Sequence, residues 1–487
     1  MRIPADPIQS RPGALWRLFE LWIMKTFFVV VVLAILGAVY YFAGKASGPV
    51  INIVQPVKAI GKNGELVVTV EAPKAQLKSF EVVFEQGTTK TPLFTWTPAT
   101  ASQLVADGEN KLKLTRPIGK AQLPQLEAGA AKITVTAVRP VLFGLREVGS
   151  SAERQLEVRL TPPSLAVLST HHYINLGGSE MVVYRVTPND VKSGVRVGDH
   201  EYPGFPASGA GIPNADPAMR VAFFALLWNQ DVNTPISVFA RDDYGNDAHA
   251  TFDYRVFPKK FRDSKIPLDD RFLARVVPAI LQNSTELKVE DPSNLLSSFL
   301  RINNDLRKSN NARITALAAS SSPQILWHGA FKQLTNSAVE GGFADQRTYV
   351  YNGQEVDHQT HLGFDLASVA ATPVHAANSG KVVHAGWLGI YGNAVIIDHG
   401  MGLQTIYAHM SSVEAKVGDM VAEGATLGRS GATGLAGGDH LHFSVLLGGS
   451  PVTAIDWWSP KWIQDRIMRK LQEVGAPADA PATAAAK

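Results

Sequence analysis

The sequence predicts a mainly β, multidomain protein with an N-terminal transmembrane helix. Three observations carry that prediction. The chain has 487 residues, more than one hydrophobic core normally serves, so roughly two to four domains are expected. Hydrophobic residues make up 45% and charged residues 18%, the balance of a folded chain. Over much of the length, short runs alternate between apolar and polar residues and are broken by Gly, Pro and Asn, which is the signature of half-buried strands.

The helix comes first. Thr26 to Ala43 is eighteen residues without a charge, just enough at about 1.5 Å per residue to cross a hydrocarbon core of about 30 Å. Tyr40 and Tyr41 fall at its far interface. Arg2, Arg11, Arg17 and Lys25 precede it, against Asp6 and Glu20. The positive-inside rule therefore puts residues 1–25 in the cytoplasm and everything after Ala43 outside. A cleaved signal peptide is the alternative, but its apolar stretch is normally shorter. The nearest small-residue site here, Gly44-Lys45-Ala46, has a lysine in the middle.

A first β-sandwich-like domain is expected over 50–163. Its strands include Glu65–Val70, Ser79–Phe84, Lys111–Leu114 and Lys132–Thr136. In the third of these, Leu112 and Leu114 face one way and the two lysines the other. A second β-rich unit is expected over 164–258. It ends in a hairpin, Ile236–Asn246 then Ala250–Val256, that loosely resembles the closing hairpin of bacterial immunoglobulin-like modules. His171 and His172, with no patterned carboxylate beside them, read as ordinary surface or loop residues. A helical segment follows over 263–320, where Leu295, Leu296, Phe299, Ile302 and Leu306 share one face and Asp291-Pro292 reads as an N-cap and N1 pair. The Ala/Pro-rich stretch 475–487 reads as a disordered tail.

Cysteine is absent and the net charge is +3. The first fact excludes disulfides, thiol nucleophiles and Cys-based metal sites, so any metal is held by His, Asp or Glu. The second gives no reason to expect nucleic acid as a partner. Nine of the thirteen histidines lie between His328 and His442. His361 and Asp365 are four apart, and His440 and His442 two apart. Glycines pepper both segments, so strands rather than helices are expected, and even spacing in a strand places both members of each pair on one face. A catalytic zinc site takes three N or O ligands and leaves a fourth position open. His361, Asp365 and one of His440 and His442 supply such a set. The His-Glu-x-x-His helix of zincins is absent. His409, after Ile406-Tyr407-Ala408, and the remaining histidine of the His-x-His pair are left to handle protons.

The order His361-Leu-Gly-Phe-Asp365, Tyr407-Ala-His409, His440-Leu-His442 resembles the lysostaphin-type, or LytM-like, zinc peptidoglycan endopeptidases. The intervening runs Ser379–Gly386, Tyr391–Gly400 and Val417–Gly424 fit that family's hairpins over about 130 residues. Val417–Gly424 also resembles a biotinyl-carrier hairpin, but Lys416 precedes the turn where a carrier needs its lysine. The family resemblance implies an antiparallel β domain over 326–460, with Zn2+ on His361, Asp365 and His442 and with His409 and His440 as the catalytic pair. It also implies peptidoglycan as substrate. With the helix as anchor, this places the enzyme on the inner membrane, single-pass, with its catalytic domain periplasmic; protein partners are not readable. His328, His358, His375, His384 and His399 are expected to be structural, with His358 on the strand face opposite His361. Tyr407, two residues before His409, is expected to share its face and line the groove. Trp327–Tyr351 is a candidate for a segment that occupies the fourth metal position. Two competing functions stand beside this one: a non-catalytic wall-binding regulator or amidase activator, and a zinc peptidase acting on envelope proteins.

Overall fold

The computed structural model describes residues 14–477, and these fall into two compact units. Most of the tail expected to be disordered, and the first half of the expected cytoplasmic segment, lie outside the described residues.

The first unit comprises residues up to Thr161 together with Asp243–Asn246. Its helix, Ala14–Ala43, starts well before the charge-free stretch. Its Phe19–Ala43 part is long and apolar enough to cross a membrane. The rest is a sandwich of a four-stranded and a five-stranded sheet. Leu66, Val68, Val70, Phe80, Val82, Leu114, Ile133 and Val135 fill the space between them, so the alternation in the sequence reports the buried face correctly. Two neighbouring strands, Gly129–Val141 and Arg146–Val158, are thirteen residues each and pair in register along their whole length.

The second unit holds Pro162–Asp242 and Asp247–Lys487. The expected second β region is present, with sheets built around Ser179–Thr187 and Ile236–Arg241. Its hairpin differs from the expected one. Ile236–Arg241 pairs with Asp247–Ala250, while Tyr254–Phe257 leaves to pair in parallel with His172–Asn175. The core of this region does not close on itself. Val182, Phe223 and Val238 belong to one continuous apolar cluster with Trp327, Leu403, Phe443 and Trp457. Trp457, fully buried, meets the rings of Phe223, Trp327 and Phe331 at 5.6–5.8 Å.

The segment expected to be helical opens instead with a strand, Asp263–Leu268, paired in parallel with Asp345–Tyr351. Helices follow at Asp270–Asn283, Leu295–Arg301 and Arg307–Ala318. Phe299, Ile302 and Leu306 are buried as the periodicity predicts. The cap lies elsewhere: Asn294, not Asp291, accepts from the Ser297 amide, and Asp291 closes a turn on Ser293. Two residues past Pro292, the chain has cleared the proline and can cap from an asparagine. Phe299 stacks edge-on against Tyr349, 5.6 Å away, which lays the helices over the strand Asp345–Tyr351.

The C-terminal region is built on an eight-stranded sheet. From one edge it runs Ala338–Gly341, Phe364–Ala367, Leu441–Leu447, Leu403–Met410, Asn393–Gly400, Gly380–Trp387, Met420–Val421, with Ser450–Val452 also on Leu441–Leu447. Its neighbouring strands pair antiparallel.

A candidate metal centre

His361 and Asp365 do not share a strand. His361 ends Gln354–His361 in a three-stranded sheet, and Asp365 lies in Phe364–Ala367 of the eight-stranded sheet. Leu362 and Gly363 carry the chain across. The crossing needs glycine, because a Cβ at Gly363 would lie 2.5–2.6 Å from Ser444 Oγ and the His442 imidazole. The four-residue spacing thus works through a turn rather than a shared face.

The three expected ligands meet. His361 Nε2 lies 2.9 Å from Asp365 Oδ1 and 3.0 Å from His442 Nδ1, and His442 Nδ1 lies 3.1 Å from Asp365 Oδ1. The outer atoms fix which nitrogens face inward. His361 Nδ1–H donates to the Gly342 carbonyl at 2.9 Å. Ser444 Oγ donates to the Leu362 carbonyl at 2.9 Å, so it accepts from His442 Nε2–H at 3.0 Å. Both inner nitrogens therefore carry lone pairs. Asp365 Oδ2 is taken by Arg347 Nη2 at 2.8 Å, which turns Oδ1 inward. Three acceptors then converge with no donor between them, an arrangement that a cation stabilises. Tetrahedral zinc with ligands at about 2.0–2.2 Å spaces them about 3.3–3.5 Å apart, so the donor set fits after opening by a few tenths of an ångström. His361, Asp365 and His442 are also the group of His and acidic side chains whose ligand atoms lie close enough for one ion, among the described residues.

Electrostatics agree. Burial alone would raise the Asp365 carboxyl, but positive charge or N–H groups presented by His361, then by His440 and His442, hold it well below the usual carboxylate range, the part a cation takes over once the two inner nitrogens carry lone pairs. Burial drives His442 down to about 4 despite the opposing pull of the Asp365 carboxylate, so it stays neutral.

The other two histidines border the cluster. The His409 ring lies 4.9 Å from that of His440 and 5.7 Å from that of His442. Its Nδ1–H donates to the Thr433 carbonyl at 2.8 Å, leaving Nε2 with a lone pair. Burial, then the neighbouring His440 and His442, hold it well below its ordinary value. His440 differs. Burial opposes its charge, but the Asp365 carboxylate 3.4 Å away outweighs this and raises it. Its loop is pinned from a helix: Arg275 donates to the carbonyls of Ala436 and Gly437 at 3.1 and 2.8 Å.

Tyr407 does not line the groove. Its hydroxyl reaches the Ala377 amide, its ring packs on Phe443, and it is buried in the core. Strand alternation would send His409 the same way. A bulge next to it and a left-handed backbone, φ +63°, turn His409 to the opposite face, a conformation histidine tolerates better than most residues. Of the histidines expected to be structural, His399 is buried between the Ser379 carbonyl and Thr405, and His358 points away on Thr348. His172, expected to be an ordinary surface or loop residue, is buried and bonded to Ser169 Oγ and the Asp253 carbonyl. One partner, Ser169, is three residues away, but Asp253 arrives from 81 residues along the chain, out of reach of a local reading.

Spacing missed Arg347, Gly342, Ser444 and Thr433. Ser444, two residues after His442 on a strand, was findable from period two. Arg347 and Gly342 come from the stretch Trp327–Tyr351, whose contribution here is to grip the outer atoms of two of the expected ligands.

Residues 359–454 match Peptidase family M23. Over 95 residues the chain is 40% identical to DD-carboxypeptidase/endopeptidase Mpg of Neisseria meningitidis, covering 20% of this chain and 22% of that one. Over 126 residues it is 33% identical to peptidoglycan DD-endopeptidase ShyB of Vibrio cholerae, 26% of this chain and 28% of that one. Over 86 residues it is 42% identical to lysostaphin of Staphylococcus staphylolyticus, 17% and 18%. The chain thus spans less than a third of the length of each of these relatives. Within residues 359–454 lie His361, Asp365, His409, His440 and His442, and the C-terminal region of this chain carries a peptidase family M23 domain of the LytM and lysostaphin type.

Proposed function

We propose that this chain is a membrane-anchored zinc metallo-endopeptidase that hydrolyses peptide bonds in peptidoglycan cross-links or stem peptides. The observation that carries the reading is the convergence of His361 Nε2, Asp365 Oδ1 and His442 Nδ1 with their outer atoms already committed elsewhere. Zinc held by these atoms supplies Lewis-acid polarisation of the scissile carbonyl and acidifies water. The two remaining histidines divide the proton work. His409, neutral with its lone pair on Nε2, takes a proton from the attacking water and returns it to the leaving amine. His440 holds its Nδ1–H on the Gly438 carbonyl, and the Asp365 carboxylate raises its pKa against burial, which favours a second N–H on Nε2 for the oxygen that gains charge in the tetrahedral state. The curated names of the Neisseria and Vibrio relatives favour a bond between D-amino acids, and the apolar helix favours attachment to the inner membrane with the peptidase domain in the periplasm.

The test is mass spectrometry of muropeptides released from purified sacculi by the zinc-loaded full chain, with His361→Ala as control. Cleaved cross-links from the wild type alone, with about one zinc per chain, are the expected result. A chain that binds sacculi, holds no zinc and releases nothing would establish a wall-binding regulator instead.

A further inference from the structure

The two thirteen-residue strands of the first unit end in a hairpin tip, Leu142-Phe143-Gly144-Leu145. The tip is apolar and bare. Phe143 is 103% exposed and Leu145 73%. Hairpin tips on soluble surfaces usually carry Gly, Asn or Asp. Here Leu142 and Phe143 both adopt left-handed backbone, φ +50° and +54°, a conformation that costs bulky apolar residues free energy. Exposed phenylalanine and leucine at a projecting point are an association liability unless something apolar receives them.

The tip lies beside the end of the apolar helix, and two arginines set its direction. Arg139 donates from Nε and Nη2 to the Ser47 carbonyl at 2.9 and 2.7 Å. Arg146, one step nearer the tip, donates to the Tyr40 carbonyl at 2.6 Å and lies over the Tyr40 ring. Arg139 is paired with Val148 and Arg146 with Val141, so moving toward the tip means moving from Ser47 back along the helix to Tyr40. The hairpin therefore runs into the apolar zone, not away from it. Gly44 and Gly48 permit the approach. A Cβ at Gly44 would strike the Arg146 guanidinium and one at Gly48 the Ser150 hydroxyl, each at 2.1–2.2 Å.

We infer that the tip Leu142–Leu145 inserts into the lipid interface around the helix, as a second, non-spanning membrane contact. The occupant is the bilayer because the patch is continuous with the helix surface whose Tyr40, Tyr41 and Phe42 are exposed, an aromatic belt at headgroup level. Arg139 and Arg146 sit where headgroup phosphates lie, with Phe143 and Leu145 one to two residues deeper. Two contacts, one spanning and one dipping, remove the free swivel that a single helix leaves. They fix the orientation of the sandwich to the membrane plane. This inference rests on the reading of Ala14–Ala43 as a membrane span.

The absence of cysteine makes the test clean. Phe143→Cys, Val39→Cys and Thr88→Cys are each labelled with an environment-sensitive fluorophore in the full chain, reconstituted in phosphatidylethanolamine/phosphatidylglycerol nanodiscs. Thr88 joins Ser79–Gln86 to Thr89–Thr95, at the other end of the same sheet, about 40 Å from the tip at about 3.3 Å per residue. The expected result is blue-shifted emission at 39 and 143, both quenched by spin-labelled lipid, with position 143 quenched most by the shallow label and position 88 unaffected. Quenching at 39 without quenching at 143 overturns the tip contact and leaves the anchor standing. No quenching at 39 overturns the anchor and the inference with it.

Discussion

Among the described residues of the second unit, two buried polar clusters are built on opposite plans. In one, Glu180 and Lys470 form a fully buried ion pair at 2.7 Å. Glu180 also accepts from the amides of Tyr173 and Met181, and Lys470 donates to the Met181 carbonyl. Charge is balanced within the cluster, and the two groups close on each other. In the other, His361, Asp365 and His442 spend their outer atoms on Gly342, Arg347 and Ser444 and aim their lone pairs at one another. The first is complete and the second asks for a cation. Burial and charge alone do not mark a functional site; the direction of the unspent lone pairs does.

Breaking each cluster should expose that difference. The largest effect is expected at the open one. Asp365→Ala removes a ligand and should lower peptidoglycan cleavage by roughly 10³-fold or more with loss of bound zinc, while near-ultraviolet circular dichroism stays native. Retained zinc at full stoichiometry would count against the ligand set. At the closed cluster the loss should fall on stability. Lys470→Met leaves Glu180 as a buried uncompensated charge and should cost about 3–5 kcal/mol in urea unfolding. Glu180→Gln with Lys470→Met should recover much of that, and zinc content should be normal in whatever remains folded. An equal loss from the double variant would show that packing, not charge, dominates there.

The legibility of the two clusters in the sequence also differs, for a physical reason. His361, Asp365, His440 and His442 fall within short spacings, and the family order adds His409, so the open cluster could be read from the chain. Glu180 and Lys470 are 290 residues apart, and no local period connects them. The same holds for Arg347, which meets Asp365 only because the strands Asp345–Tyr351 and Gln354–His361 pair. In the first sandwich alternation told which strand faces are buried. It could not tell what the face is buried against, so a second β region whose core continues into the peptidase read as a separate domain.

Two smaller effects sharpen the comparison. His172 and His399 are both held near a pKa of about 4, by burial above all. Their folded values lie below the unfolded value of about 6.5, so stability is intact above pH 6.5. It falls as the unfolded chain takes up protons between pH 6.5 and about 4, by about 3 kcal/mol per histidine at most. Unfolding free energies at pH 7, 5.5 and 4 should show this slope, and His172→Phe should flatten it. A slope unchanged by that substitution would remove His172 from the account. Smallest, Arg347→Ala should free Asp365 Oδ2 and weaken zinc binding by about 10- to 100-fold, read by competition with a chelator. Unaltered affinity would mean that the carboxylate is oriented without it.

The left-handed turn at His409 has a wider meaning. One strand, Leu403–Met410, supplies both a core ring and the imidazole proposed to react, and a single torsion separates the two duties. Glycine at 409 would preserve that torsion while deleting the chemistry. A β-branched valine, which avoids the left-handed region, would pull the backbone toward extended and swing its side chain inward. The allocation of this strand between scaffold and reagent is therefore written in backbone geometry, not in which residue types it carries.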